Sequence, residues 1–397
     1  MKALDIVHMK ETTLDIERIQ DMSFLETIRD DWNALLQKSG TKTIELSWEW
    51  QTTYWRHFNE NAELFVLIIR EAHIIVAIVP LKLTHTKELG MDVRRLEIIA
   101  AAESNYQDLI IGKNDTDILT CVFDYLLKCS ASWDILLLYH IPEASKTTDF
   151  LRNRLADYPL RKTTTIEQCM FLEIDRTLEN RRKKTKELAL KIRRSERNLG
   201  RISLRPSSTP EQFRKDMLVF FDLHRKRWNL TETPSMFNEE RYCEFYLEVT
   251  RQLNSKNEVE LWTLVAGEIQ LAQLLSFAFG KSIVIQLQAY DIDYRKYSPT
   301  VTLLDLYVDH LISNGTEIMD IGSYNPYKAQ WADQVKNRVN FQVYPKRFWP
   351  DCMYVLAIVH DALLYYLRKS DILLRAAKYI RRKLRSLYKS RPQPNAG

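Results

Sequence analysis

Glycine is scarce in this sequence, with 9 among 397 residues. Loops that cradle phosphates on bare backbone need glycines at fixed spacing, and neither G-x-G-x-x-G nor G-x-x-x-x-G-K-[ST] occurs. Cysteine is scarce too. The 5 present (Cys121, Cys129, Cys169, Cys243 and Cys352) are odd in number, widely spaced and never in a C-x-x-C pair. That argues against a disulfide framework or a zinc site, and it predicts a reducing compartment and no metal. Long apolar runs are also missing. The opening "MKALDIVHMKETTLDIERIQ" is broken by charges, and no stretch is long enough to span a bilayer. The sequence therefore predicts a cytoplasmic protein.

What is present is a globular balance of 45% hydrophobic and 27% charged residues, with 11% aromatics. The length suits two domains of ordinary size or one large one. The net charge of +5 is unevenly placed. Arg181 to Arg201 carries ten basic residues against Glu187 and Glu196, and Arg368 to Arg391 carries ten against Asp371. Those stretches hold +8 and +9, so the remainder stands at −12. Localised charge of this kind marks either a binding partner or a solvated helix face.

The chain reads as two halves of like order. "ELFVLIIREAHIIVAIVPLKL" (Glu63 to Leu83) is two β-rich runs about a polar turn, a hairpin pattern. A strand "VRRLEIIA", the stretch "NYQDLII", a helix from about Thr116 to Cys129 and a strand "WDILLLYHIP" follow. "VELWTLVAGEIQLAQLLSFAFG" (Val259 to Gly280) repeats the hairpin pattern. After it come a strand "SIVIQLQAY", a helix "TVTLLDLYVDHLISN" and a strand "TEIMDIG". Antiparallel strands followed by strand, helix and strand predict a mixed sheet. Between the halves, "NRRKKTKELALKIRRSERNLGRISLR" predicts a helix ending at Gly200. Leu188, Ile192, Ser195 and Leu199 share one face, and Arg182, Lys186, Arg193 and Arg197 share the other. Helices are also predicted over "EQFRKDMLVFFDLHRKRW" and from Glu239 to Leu253. The tail from about Tyr354 is helical in pattern, with Leu373, Ala376, Ile380, Leu384 and Leu387 on one side and basic residues opposite.

The second half contains "AYDIDYRKYSPTVTLLDLYVDHLISNG" (Ala289 to Gly315), a strand end and a helix separated by a polar joint. Helix N-termini expose unpaired N–H groups and a positive dipole end, which suit an anion. Ser298 is placed as an N-cap, and Pro299 fits the first helical position because it has no N–H. Arg295 and Lys296 add positive charge. The same pattern also describes a well-capped structural helix with exposed basic neighbours.

The order of strands, polar turn and helix looks like the core of the GNAT acyltransferase fold. The chain as a whole resembles the CelD-like GNAT proteins found with cellulose and exopolysaccharide biosynthesis, which are related in fold to the Fem-type transferases. The resemblance is carried in order by "SWEWQTTYW", "IVPLKL", "NYQDLII", "WDILLLYHIPE", "FFDLHRKRW", "YDIDYRKYSPTVTLL" and "IGSYNPYKAQWA", from roughly Trp48 to Trp331. It implies an α+β fold of two tandem GNAT-like halves. Each would be a mixed, mostly antiparallel sheet flanked by helices, with a basic helix at the C-terminus. The bounds expected are 20–178 for the N-terminal half, 179–350 for the acyltransferase half and 351–397 for the tail.

The resemblance further implies transfer of an acyl group from acetyl-CoA or another acyl-CoA to an amine. The diphosphate would meet Arg295, Lys296, Ser298, Pro299 and Thr300, although the family usually has Ser-Pro-Gly where Thr300 closes the motif here. Tyr290 is the expected acid, and His224 or Asp108 the expected base. Arg227, Tyr294, Tyr327 and Lys328 are expected to touch the acceptor. Each has a plainer reading: strand-end tyrosines packed with wet hydroxyls, a half-exposed helical histidine, an aspartate capping a turn, and a Lys328–Asp320 pair. The acceptor implied is an amino sugar or other small amine in polysaccharide or cell-envelope synthesis. Two alternatives stay open. One is a Fem-like transferase using aminoacyl-tRNA, and the other is a non-catalytic accessory subunit of a polysaccharide synthase. The basic stretches lack interleaved aromatics, which argues against nucleic-acid binding except for that tRNA. The basic tail would meet the inner face of a membrane, a dimer partner or the acidic body.

Overall fold

The computed structural model describes residues 14–88, 90–112, 115–174, 189–329 and 331–369. The expected side-chain faces at Arg182, Lys186 and Leu188, and the tail stripe from Leu373 onward, lie outside them.

Among the described residues, thirteen strands form one sheet. In the first half these are β1 (Leu14–Ile19), β2 (Ala62–Glu71), β3 (Ile74–Glu88), β4 (Met91–Ile98), β5 (Ile110–Ile111), β6 (Ile135–Pro142) and β7 (Leu160–Glu173). In the second they are β8 (Ile202–Pro206), β9 (Val259–Ala266), β10 (Ile269–Phe279), β11 (Ser282–Tyr290), β12 (Ile318–Ser323) and β13 (Gln334–Pro345). The spatial order is β1-β2-β3-β4-β6-β13-β7-β12-β11-β10-β9-β8, with β5 laid on β3. Pairing is antiparallel except for β4 with β6 and β11 with β12, each of which follows a helical crossover.

The halves exchange their last strands. β13, from the second half, pairs with β6, while β7, from the first, pairs with β12. The two lie against each other through twelve residue pairs, from Gln334↔Phe171 to Pro345↔Leu160. Each exchanged strand completes the other half's core. Val339, Phe341 and Val343 pack with Leu136, Phe123 and Trp133, while Met170 and Leu172 pack with Leu303, Tyr307 and Met319.

The helices are α1 (Met22–Thr27), α2 (Arg29–Lys38), α3 (Trp48–His57), α4 (Asp115–Lys128), α5 (Lys146–Asn153), α6 over residues 189–199, α7 (Pro210–Trp228), α8 (Glu240–Asn254), α9 (Pro299–Ser313), α10 (Pro326–Ala329) and α11 (Phe348–Lys369). α9 covers one face of β9, β10 and β11; α7 and α8 cover the other, where they meet α3 of the first half. Trp50 is fully buried at that meeting, with ring centroids 5.1 Å from Phe245 and 5.2 Å from Phe277, both edge-on. The third cluster, centred there, holds the halves together by burial of aromatic surface.

Candidate functional site

β11 and β12 pair only at Ser282↔Ile318, Ile283↔Met319 and Val284↔Asp320, after which β11 runs on to Tyr290 without β12 beside it. A bulge lies just past this apex. Leu275 of β10 faces Leu287 and Ser276 faces Ile285, so Gln286 is the extra residue on β11. The bulge switches the faces: Ile283 and Ile285 join the α9 core, Leu287 and Ala289 the α7/α8 core. Gln286 is held from the first half, accepting from Asn105 Nδ2 at 2.6 Å and donating Nε2 to the Glu103 carbonyl at 3.3 Å.

Past Tyr290 a short 3-10 turn (Ile292–Tyr297) leads to Ser298, which is left-handed at φ 52°. The expected side-chain cap is absent, because that backbone is not the extended one from which a hydroxyl reaches the first-turn amides. The Ser298 carbonyl takes over, accepting from Val301 N at 3.1 Å and Thr302 N at 3.3 Å. Pro299 is buried at the first helical position; Arg295 and Lys296 are exposed beside it, and Thr300 is half-buried. The joint is tied to α7 by Lys226 Nζ, which lies 2.6 Å from Asp291 and 2.5 Å from Asp293.

α7 presents Phe213, Met217, Phe220, Phe221 and His224 inward at helical spacing. His224 is therefore buried, not half-exposed. Its Nδ1 lies 2.7 Å from Ser235 Oγ, and its ring lies between Phe220 and Trp228 with Phe237 edge-on at 5.0 Å. Burial, helped by the neighbouring Arg227 charge, pulls its pKa down to about 4. Arg227 sits over the Tyr290 ring at 4.8 Å and over Trp228 at 5.0 Å. Tyr294 packs half-buried near Tyr290 on the α9 side.

On the face away from α9, a cavity of about 910 Å³ opens between the halves and reaches the apex residues Val284 and Asp320. Asp320 is only 3% exposed. Its Oδ1 accepts from Gly322 N at 2.6 Å, and the carboxylate lies beside the Tyr106 hydroxyl with Oδ2 buried. Burial raises its pKa. The Tyr106 hydroxyl lines the same cavity, lies against Asp320 and Cys169, and is raised by burial and by those two neighbours. The expected Lys328–Asp320 pair takes another form. Lys328 Nζ donates to the Ile321 carbonyl at 2.6 Å, and burial lowers its pKa against the pull of Asp320. Tyr327 lies beside it in α10. Asp108 also lines the cavity, but both its oxygens are engaged: Oδ2 by Thr41 Oγ1 at 2.5 Å and Ser145 Oγ at 2.6 Å, Oδ1 by the Leu109 amide at 2.8 Å. Burial raises it despite those bonds.

The structure thus gathers Asp108, Asp320 and Tyr106 at the cavity. It places His224, Arg227, Tyr290 and Tyr294 at the far end of β11. Between the groups runs a buried polar seam that sequence reasoning missed. Glu45 accepts from Asn105 N at 2.6 Å, Tyr106 N at 3.1 Å and Thr43 Oγ1 at 3.0 Å. Glu103 accepts from the Tyr246 hydroxyl at 3.0 Å. Desolvation raises both carboxyls to about 7. Arg338 bonds Glu167 at 2.7 Å, the Asn105 carbonyl at 2.7 Å and Ser323 Oγ at 2.9 Å, a clasp across the exchanged strands. In the sequence Glu45 and Glu103 look like any surface glutamate, so no local signal could have found them.

Residues 182–329, from the basic helix to α10, match the model of the acetyltransferase (GNAT) domain. This stretch holds the β11/β12 opening and the α9 mouth, so a GNAT-type acetyltransferase domain supplies that part of the site. Across the described residues two halves of like strand order make one mixed sheet, a fold similar to three crystal structures that differ widely from it in sequence. FemX aligns with TM-score 0.59 at 10% identity, covering 86% of this chain and 99% of that one. A conserved protein of unknown function from Bacteroides thetaiotaomicron aligns at 0.53 and 10% identity, over 84% and 100%. The C-terminal domain of a putative lysylphosphatidylglycerol synthetase from Agrobacterium fabrum aligns at 0.51 and 13% identity, over 86% and 97%. No curated protein matches the chain.

Proposed function

We propose that the protein is an acyl-CoA-dependent N-acyltransferase whose acceptor is an amino sugar or other small amine of polysaccharide or envelope synthesis. The observation that carries this reading is the opening of β11 from β12, with a cavity reaching its apex at Asp320. The α9 mouth fits a diphosphate by charge, since exposed Arg295 and Lys296 flank a helix N-terminus. Ser298, Pro299 and Thr300 would shape that seat. The thioester carbonyl would lie along β11, where the bulge at Gln286 turns backbone N–H groups out of the ladder.

The amine enters from the cavity. Asp320 serves as its base, because it lines that space beside the Tyr106 hydroxyl and burial raises its pKa toward useful basicity. The amine nitrogen bonds to the acyl carbon, the carbon–sulfur bond breaks, Asp320 takes the amine proton, and the leaving thiolate takes a proton from water in the cavity. His224 and Asp108 serve this reading less well, one walled in by aromatics and the other with both oxygens engaged. Tyr290, with Arg227 stacked on it, lies at the far end of β11, about 20 Å along the strand from Asp320, and so serves the seat of the cofactor better than the acyl carbon. Lys328, near Asp320, would border the acceptor, while Tyr294 stays with Tyr290 at the other end of β11.

Calorimetry with acetyl-CoA and longer acyl-CoAs, followed by thiol release with a panel of amines, tests the proposal. Asp320→Asn should lower turnover by about a hundredfold or more while acyl-CoA affinity holds. Absence of both heat and thiol release across the panel would overturn it. A second reading draws on the likeness to FemX across nearly the whole of both chains: a Fem-like transferase fed by aminoacyl-tRNA. It predicts binding of charged tRNA that weakens steeply with salt. If neither donor binds, the non-catalytic accessory subunit of a polysaccharide synthase is what remains.

A further inference from the structure

α11 leaves the body partway along. Its first turns are docked: Met353 is buried against Tyr344 and Val93, Tyr354 and Ala357 join that cluster, and Asp351 accepts from Arg161 Nε at 2.5 Å. From Ile358 to Leu363 every residue is exposed. Apart from His360 and Asp361, which pair with each other, the exposed residues there are apolar. Phe348 is 85% exposed, Val355 55%, Val359 57% and Leu363 56%, and Leu356 lies beside them at 40%. Positions 355, 359 and 363 recur every four residues, so these side chains form one outward stripe, while Met353 and Ala357 face the body. A soluble surface rarely leaves such a stripe uncovered.

The sequence that follows says what covers it. Arg368 to Arg391 carries +9, and the chain apart from its two basic stretches carries −12. An apolar stripe continuous with a dense cationic segment is the chemistry of an interface that is greasy inside and negative at its surface. A second copy would bring another +9 to the same place. Among the described residues no helix is long and apolar enough to cross a membrane, so the element lies on the surface. We propose that α11 and the basic segment after it dock the protein onto an anionic lipid surface, with the acidic body held away from it.

The test is co-sedimentation of the full-length protein with vesicles of phosphatidylcholine, alone or mixed with phosphatidylglycerol. Binding should favour the mixed vesicles and fall with added salt. Val355→Asp combined with Val359→Asp should cut binding roughly tenfold or more, because charged groups no longer enter the interface. Neutralising Arg381, Arg382, Lys383 and Arg385 to glutamine should abolish the preference for phosphatidylglycerol. A circular-dichroism melt unchanged from the parent certifies that the variants fold. No binding to mixed vesicles overturns the proposal. So does a concentration-dependent dimer that Val359→Asp dissociates while vesicles are ignored, since the stripe would then belong to a second copy. Acyl transfer in free solution is read separately, so this proposal can fail while the enzymatic one stands.

Discussion

Replacing Glu45 with glutamine should reshape the pH dependence of stability in one direction. Glu45 is 1% exposed, and burial outweighs its three hydrogen bonds to raise its carboxyl from the ordinary glutamate range to about 7. A carboxyl raised by folding binds its proton more tightly in the native state. Its contribution is therefore complete below about pH 4.5 and is lost as pH climbs to about 7. At about 1.4 kcal/mol per pH unit, that interval is worth about 3 kcal/mol. The wild-type curve hides the effect. His224, depressed to about 4, contributes with opposite sign, and its stability is lost as pH falls from about 6.5 to 4. Glu103, raised to about 7 as well, acts with the sign of Glu45, so the wild-type curve is a sum of opposed and like contributions, and the difference between variant and parent is the quantity to read. Urea unfolding of both proteins, followed by tryptophan fluorescence across that pH range, supplies it. Glutamine cannot accept from both the Asn105 and Tyr106 amides, which costs a constant offset. On top of that offset, Glu45→Gln should gain on the wild type by about 3 kcal/mol between pH 4.5 and 7.5. Loss of the Glu45 charge also relaxes Glu103, which it helps to raise, and steepens the trend slightly. A difference that stays flat, or shrinks with rising pH, would refute the reasoning.

Three further outcomes are expected. Trp50→Ala should destabilise by about 3–5 kcal/mol in urea unfolding, because it empties the aromatic contact that joins α3 to α8 and β10. Ser298→Gly should raise the melting temperature, a gain of up to about 1 kcal/mol, since a left-handed side chain costs roughly that at φ 52°. If its acyl-CoA affinity rises as well, Ser298 was narrowing the seat. A fragment of residues 179–350 should aggregate when made alone and be rescued by co-expression of the first half, because β12 loses β7 and shows a bare edge; light scattering decides.

Much of the site's framework was legible locally. "SIVIQLQAY" alternates like a strand, and β11 occupies Ser282–Tyr290. The apolar spacing in "EQFRKDMLVFFDLHRKRW" sets the inward face of α7, and Pro299 marks the start of α9. The polar joint between strand and helix was visible, although its cap turned out to be a carbonyl, not a hydroxyl. These features are encoded within a few residues, where periodicity and φ preferences act. β7 and β13 were not visible. "LRKTTTIEQCMFLE" lies in the middle of the sheet, yet much of its length is exposed, so no regular apolar alternation announces it. Their exchange depends on partners well over a hundred residues away, and nothing in either segment names the other.

The same holds for charge. Sequence by itself determined where the hairpins, the strand–helix–strand units and the α7 and α8 helices fall, and where basic residues concentrate, because those follow from neighbours along the chain. Only the tertiary structure decided that Glu45, Glu103 and Asp320 lose their water. Desolvation is set by what the other half places on top of a group, and it is this burial that separates a carboxyl poised to take a proton from one that stays ionised at the surface.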